Sequence, residues 1–101
     1  MAIIAISTSP IGADISLSKF VAPAINIALH DERVKTQPGP MFTTLEGKLE
    51  DCLDVARKMH ESIFEAGADR VGTLIKIDDR RDIRHTMDGK MKSIQDKLQN
   101  K

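Results

Sequence analysis

The chain is 101 residues long, the length of one domain, and its 41% hydrophobic and 30% charged residues are a globular balance rather than a disordered one. Fifteen Lys and Arg against fifteen Asp and Glu leave no net charge, so duplex nucleic acid and anionic membrane find no basic face to meet. Three Phe with no Tyr or Trp offer no stacking platform for single strands, and one cysteine excludes an internal disulfide and fits a reducing, cytoplasmic setting.

No apolar run approaches the roughly 18 residues of a membrane span. Ala2–Ile6 is too short for a signal-peptide core and has no basic residue before it. Residues 1–101 therefore read as a single soluble domain.

Ala2–Ser9 is a short β-branched run ended by Pro10 and Gly12, which predicts a strand and a turn. Ser18 is the expected N-cap of a helix over Lys19–His30, with Phe20, Val21, Ala24, Ile25, Ala28 and Leu29 at helical spacing. Pro23 removes an amide donor inside it. Val34–Gln37 and Met41–Glu46 read as a hairpin around Pro38-Gly39-Pro40, and the prolines push that pairing to a sheet edge. Leu49, Cys52, Leu53, Ala56, Met59 or His60, Ile63 and Phe64 then mark a second helix, with Gly67 where a left-handed C-cap belongs. Arg70–Asp78 alternates as a strand. The charged run Asp78–Asp82 makes local ion pairs and offers Asp82 as N-cap of a last helix carrying Ile83, Met87, Met91, Ile94 and Leu98 as a narrow stripe. That helix is expected at an edge or across a subunit boundary.

Strand–helix–strand twice over predicts an α+β ferredoxin-like sandwich, βαββαβ plus a C-terminal helix. Its four-stranded antiparallel sheet carries helices on one face. Alternation sends Ile4, Ile6, Leu45, Val71, Thr73, Ile75 and Ile77 under the helices. It leaves Ile3, Ala5, Ser7, Ser9, Phe42, Thr44, Glu46, Leu74, Lys76 and Asp78 on the open face. An apolar patch there points to a homo-oligomer that stacks or extends the sheets. The same face gathers hydroxyls with two carboxylates and one ammonium, which suits a small heteroaromatic cation. The residues equally allow a plain Glu46–Lys76 ion pair with no ligand.

Several segments resemble the thiamine-binding-protein-like family of small, long uncharacterised proteins. They are Ser9-Pro10-Ile11-Gly12, Thr43-Thr44-Leu45-Glu46-Gly47, and Ala66-Gly67-Ala68-Asp69-Arg70-Val71 leading into Lys76-Ile77-Asp78-Asp79-Arg80-Arg81-Asp82. The resemblance runs in register over nearly the whole chain. It implies a ferredoxin-like fold, dimers assembling into tetramers, and binding of thiamine or its hydroxymethylpyrimidine moiety without catalysis. Ser7 and Ser9 match the family's polar end of the first strand, Thr43 and Glu46 its Thr-x-x-Glu-Gly segment, and Asp78 the first aspartate of the fourth-strand motif. Phe42 stands where the family pattern often has glycine, and either narrows the pocket or offers a ring for stacking. With Thr44, these make Ser7, Ser9, Phe42, Thr43, Thr44, Glu46 and Asp78 the candidate ligand-binding residues. Thr43 and Glu46 differ in parity, so a bulge or an intersubunit contact is needed for both to line one site.

Other chemistries find less support. His30, His60 and His85 lie far apart without close-spaced cysteines, so no metal site is expected. Cys52 lies on an apolar stripe, and no Gly-x-Ser-x-Gly elbow is present. Acylphosphatase-type chemistry needs an arginine in an anion loop after the first strand, and Pro10–Ser18 holds no basic residue. The expectation is therefore a non-enzyme without a cofactor, taking thiamine or its pyrimidine as ligand. The alternative is a structural or interaction homo-oligomer, dimer or tetramer, with no small-molecule ligand.

Overall fold

In the computed structural model, which describes residues 1–12 and 17–99, the strands are β1 (Ala2–Pro10), β2 (Lys35–Pro38), β3 (Thr43–Gly47) and β4 (Val71–Asp79). The helices are α1 (Ser18–Leu29), α2 (Leu49–Glu65) and α3 (Met87–Gln99). The strands pair antiparallel in the order β2-β3-β1-β4, the ferredoxin-like arrangement.

The core lies between one sheet face and the two longer connections. Ile4, Ile6 and Leu45 point into it from β1 and β3, and meet Phe20, Ala24 and Ala28 of α1 with Cys52, Val55, Ala56, Met59 and Ile63 of α2. The alanines let α1 approach closely. Glu50 and Asp51 in the first turn of α2 suit the positive end of its dipole. Its other end closes in a Schellman motif, with the Gly67 amide donating to the Phe64 carbonyl and the Ala68 amide to that of Ile63. Gly67 adopts φ +111°, which a side chain resists.

Several boundaries and caps differ from the sequence expectation. Helix α1 begins at Ser18 itself, and Leu17 takes the capping position without a side-chain bond. The hairpin strands are Lys35–Pro38 and Thr43–Gly47 rather than Val34–Gln37 and Met41–Glu46. Pro38 is tolerated because β2 is an edge strand. Asp82 does not cap α3. It pairs with Arg80, and Thr86 Oγ1 accepts from the Gly89 amide instead. A side chain three residues before its donor fits the cap geometry, and Asp82 sits seven residues before Gly89. Ile83 consequently lies outside the helix.

The largest departure concerns α3. Only α1 and α2 share a face; the start of α3 lies over the other one, where Met87, Lys90 and Met91 line a cavity with Ile3, Ala5 and Thr44. Helical spacing alone reports a stripe, not which side of a sheet receives it.

Burial, with Asp51 and Glu46 nearby, pushes the Cys52 thiol up to about 11. At pH 8 native Cys52 is therefore expected to react with a disulfide reagent at least ~100-fold more slowly than in the unfolded chain. Equal rates would contradict this packing. The unfolded thiol ionises first, so stability falls as pH rises from the ordinary thiol range toward 11.

Asp54 behaves oppositely. Bonds from Arg33 and Arg57 hold its carboxyl well below the usual carboxylate range. The depressed folded value contributes stability above about pH 4 that is lost as pH falls. Asp54→Asn is expected to shrink the stability difference between pH 7 and pH 3, read by denaturant melts at both.

Candidate functional site

The register lines outward side chains in rows across the sheet. Lys35, Glu46, Ile3 and Asp78 form one row, and Gln37, Thr44, Ala5 and Lys76 the next. Neighbouring strands are about 4.8 Å apart, so the Glu46 and Asp78 backbones stand roughly 10 Å apart with Ile3 between them.

Three cavities divide the seven candidate residues. Phe42, Thr44 and Asp78 come together in a cavity of about 310 Å³ on the open face, floored by Ile3 and Ala5. Ser7, Ser9 and Thr43 line a second cavity of about 400 Å³, where the end of β1 meets the start of α1. Phe42 belongs to both and forms the wall between them. Glu46 stands apart in a third, of about 510 Å³, beside Lys35, Arg84 and Thr86. Thr43 points inward and is buried, while Glu46 points outward, as parity requires; the β1–β3 register is continuous from Ala2 to Ile6 without a bulge.

The two carboxylates have unlike surroundings. Asp78 Oδ2 accepts from Lys90 Nζ at 2.8 Å and lies 3.1 Å from His85 Nε2. Lys90 first and His85 second hold its carboxyl below the usual range, so it is anionic at neutral pH. Glu46 is only 7% exposed, and its Oε1 has no donor. The expected Glu46–Lys76 ion pair is not formed. Strand β1 separates β3 from β4, and the ladder partners of Glu46 are Ile3 and Lys35.

Sequence reasoning missed His85, Met87 and Lys90 as neighbours of the face because it expected α3 at an edge or across a subunit boundary, and missed Lys35 because it assigned no face to the residues of β2. Asp88 and Lys90, a charge pair in that helix's first turn, were the available signal: they bond Lys35 and Asp78 from opposite sides of the face. On the helix side of the sheet, His60 Nδ1 lies 2.5 Å from Thr73 Oγ1, which in turn bonds Thr8 Oγ1. The imidazole there ties α2 to β4 and β1. Among the described residues no helix is long and apolar enough to cross a membrane.

The fold and cavities define a small ferredoxin-like protein with a mixed apolar and charged hollow on its open sheet face. The chain belongs to the thiamine-binding protein family, whose model matches residues 4–95. It is 39% identical over 103 residues to the UPF0045 protein YqgV of Bacillus subtilis, covering 98% of this chain and 99% of that one. The crystal structure of the hypothetical protein MJ1052 of Methanocaldococcus jannaschii superposes with a TM-score of 0.85 at 32% identity, over 92% of this chain and 94% of that one. A Thermotoga maritima structure provisionally described as a thiamine biosynthesis/salvage protein has a TM-score of 0.75 at 24% identity, over 92% and 97%. That last likeness is one of fold.

Proposed function

We propose that this chain is a non-catalytic binding protein for thiamine or its hydroxymethylpyrimidine moiety, taken on the open sheet face. The observation that carries the reading is the open-face cavity, with its floor of Ile3 and Ala5, its ring wall of Phe42, and Asp78 and Thr44 at its side. A flat, amino-bearing ring matches such a hollow: the floor takes the ring, Asp78, shared with Lys90, accepts from its nitrogen, and the Thr44 hydroxyl sets its orientation, with Lys76 and Lys90 lining the same space. Family membership supports the choice of ring. Glu46 supplies a second carboxylate on the same face, and Ser7, Ser9 and Thr43 serve the remainder of a two-ring ligand reaching past Phe42. No bond-making step is assigned, since the buried Cys52 thiol is raised rather than activated. A free cysteine also fits action in the cytoplasm.

Calorimetric titration with thiamine, and with its pyrimidine and thiazole halves, tests this. Saturable micromolar binding carried by the pyrimidine half is expected; no heat with any of the three overturns it.

A homo-oligomer, dimer or tetramer, belongs to the same proposal. Its support is the exposed apolar surface of the β4 edge, where Leu74 is 62% and Ile77 47% exposed, and of α3 at Met91, Ile94 and Leu98. Light scattering that finds only the single chain at micromolar concentration overturns this part. An oligomer that takes none of the three ligands would favour the structural reading.

A further inference from the structure

The charged side chains that line the open-face cavity do not balance. Asp78 is already engaged: its Oδ2 accepts from Lys90 Nζ at 2.8 Å and lies 3.1 Å from His85 Nε2. Lys76 lines the same cavity as a second ammonium, and among the described residues no carboxylate pairs with it. Two ammoniums thus face one carboxylate. The start of α3 adds to the imbalance. Its first residue, Met87, forms a wall of the cavity at 4% exposure, so the positive end of the helix dipole lies at the rim. Asp88, the acidic residue of that first turn, is taken by Lys35 on the β2 side.

Strand register sets where the spare ammonium stands. Lys76 ends the row of Gln37, Thr44 and Ala5. Asp78 lies two residues along the same strand on the same face, about 7 Å away. Their ladder partners, Ala5 and Ile3, are the apolar floor beside them. A ring lying on that floor with an amino nitrogen at Asp78 therefore has Lys76 beside an adjacent ring position. In hydroxymethylpyrimidine an adjacent position carries the hydroxymethyl group. The alcohol is neutral and leaves the ammonium without a counter-charge, whereas a phosphate ester brings the anion that the hollow lacks.

We propose that Lys76 is an anion seat, and that the open-face cavity takes the phosphate monoester of an amino-bearing ring in preference to the ring alcohol. The inference deepens the binding reading above and rests on it for the ring alone. The Lys76 side chain is exposed, so the pair it makes with the phosphate is of modest strength and is screened by salt.

Calorimetry with hydroxymethylpyrimidine and with its phosphate ester, at low salt, tests it. The ester is expected to bind about fivefold tighter, and the preference to shrink as salt rises. Lys76→Gln should bring the preference near unity, and Lys76→Arg should keep it. Arg57→Gln removes the same charge from the exposed surface of α2, across the sheet, and should keep it too. An ester no tighter than the alcohol, a preference that survives Lys76→Gln, or one lost equally in Arg57→Gln overturns the proposal. Lys76 is then a solvated lysine guarding the β4 edge. Inorganic phosphate gives a readout without the ring. In protein carrying isotope-labelled lysine, the Lys76 Cε resonance, assigned by its loss in Lys76→Gln, should shift saturably with phosphate and not with chloride at equal ionic strength. No shift with either phosphate or the ester overturns the seat. Failure of both ring compounds to bind, with the phosphate shift intact, would count against the binding reading alone.

Discussion

Glu46→Gln is expected to weaken thiamine binding by about tenfold to a hundredfold, the range spanned by losing one charge-assisted hydrogen bond at a desolvated site. The physical reason is specific to this carboxylate. Asp78 already accepts from Lys90, whereas Glu46 Oε1 is buried without a donor, so a ligand nitrogen gains most there. The amide keeps the shape and removes a buried charge. Thermal unfolding of the variant should therefore match or exceed that of the parent. Calorimetry with thiamine on both proteins, beside a melting curve for each, separates the two effects. Unchanged affinity with intact folding would remove Glu46 from the site, and lost folding would make it structural.

Leu45→Ala is expected to lower the unfolding free energy by about 3–5 kcal/mol, near the upper end for a large-to-small core change. Leu45 is fully buried and sits in β3, with strands on both sides. Its ladder partners are Ile4 and Thr36, and Thr36 Oγ1 is fixed to the Ala28 carbonyl of α1. The backbone around it is thus held by two ladders and a helix end, and collapses poorly into the vacated volume. Chemical denaturation gives the number. A cost below about 1 kcal/mol would mean that β3 relaxes freely and that the core is looser than native packing.

The same substitution at Ile77 should cost far less. Ile77 shares the inward parity of Ile4 but remains 47% exposed, because it lies on the edge strand. Alternation shows which way a side chain points, and only the neighbouring elements decide whether anything covers it.

What the sequence determined by itself is the order of elements, the parity of β1, β3 and β4, and the Cys52, Ala56 and Ile63 part of the inward stripe of α2; Leu53 and Phe64, expected in that stripe, are exposed, and Val55 is buried instead. The parts it determined follow from local periodicity and from Gly67, whose left-handed conformation ends the helix. The motif around Thr43–Gly47 and Lys76–Asp82 also carried the family. Only the tertiary structure decided which candidate residues meet. Phe42, Thr44 and Asp78 share one hollow, Ser7, Ser9 and Thr43 another, and Glu46 a third, because strand register and the 39–42 turn distribute them along and across the sheet. The placement of α3 was equally beyond sequence periodicity. Its stripe is narrow, and what docks its first turn is Lys35 and Asp78, 53 and 12 residues away from their partners in the chain. Contacts at such separations leave no local pattern; they exist only once the sheet has brought β2 and β4 to opposite edges of one face.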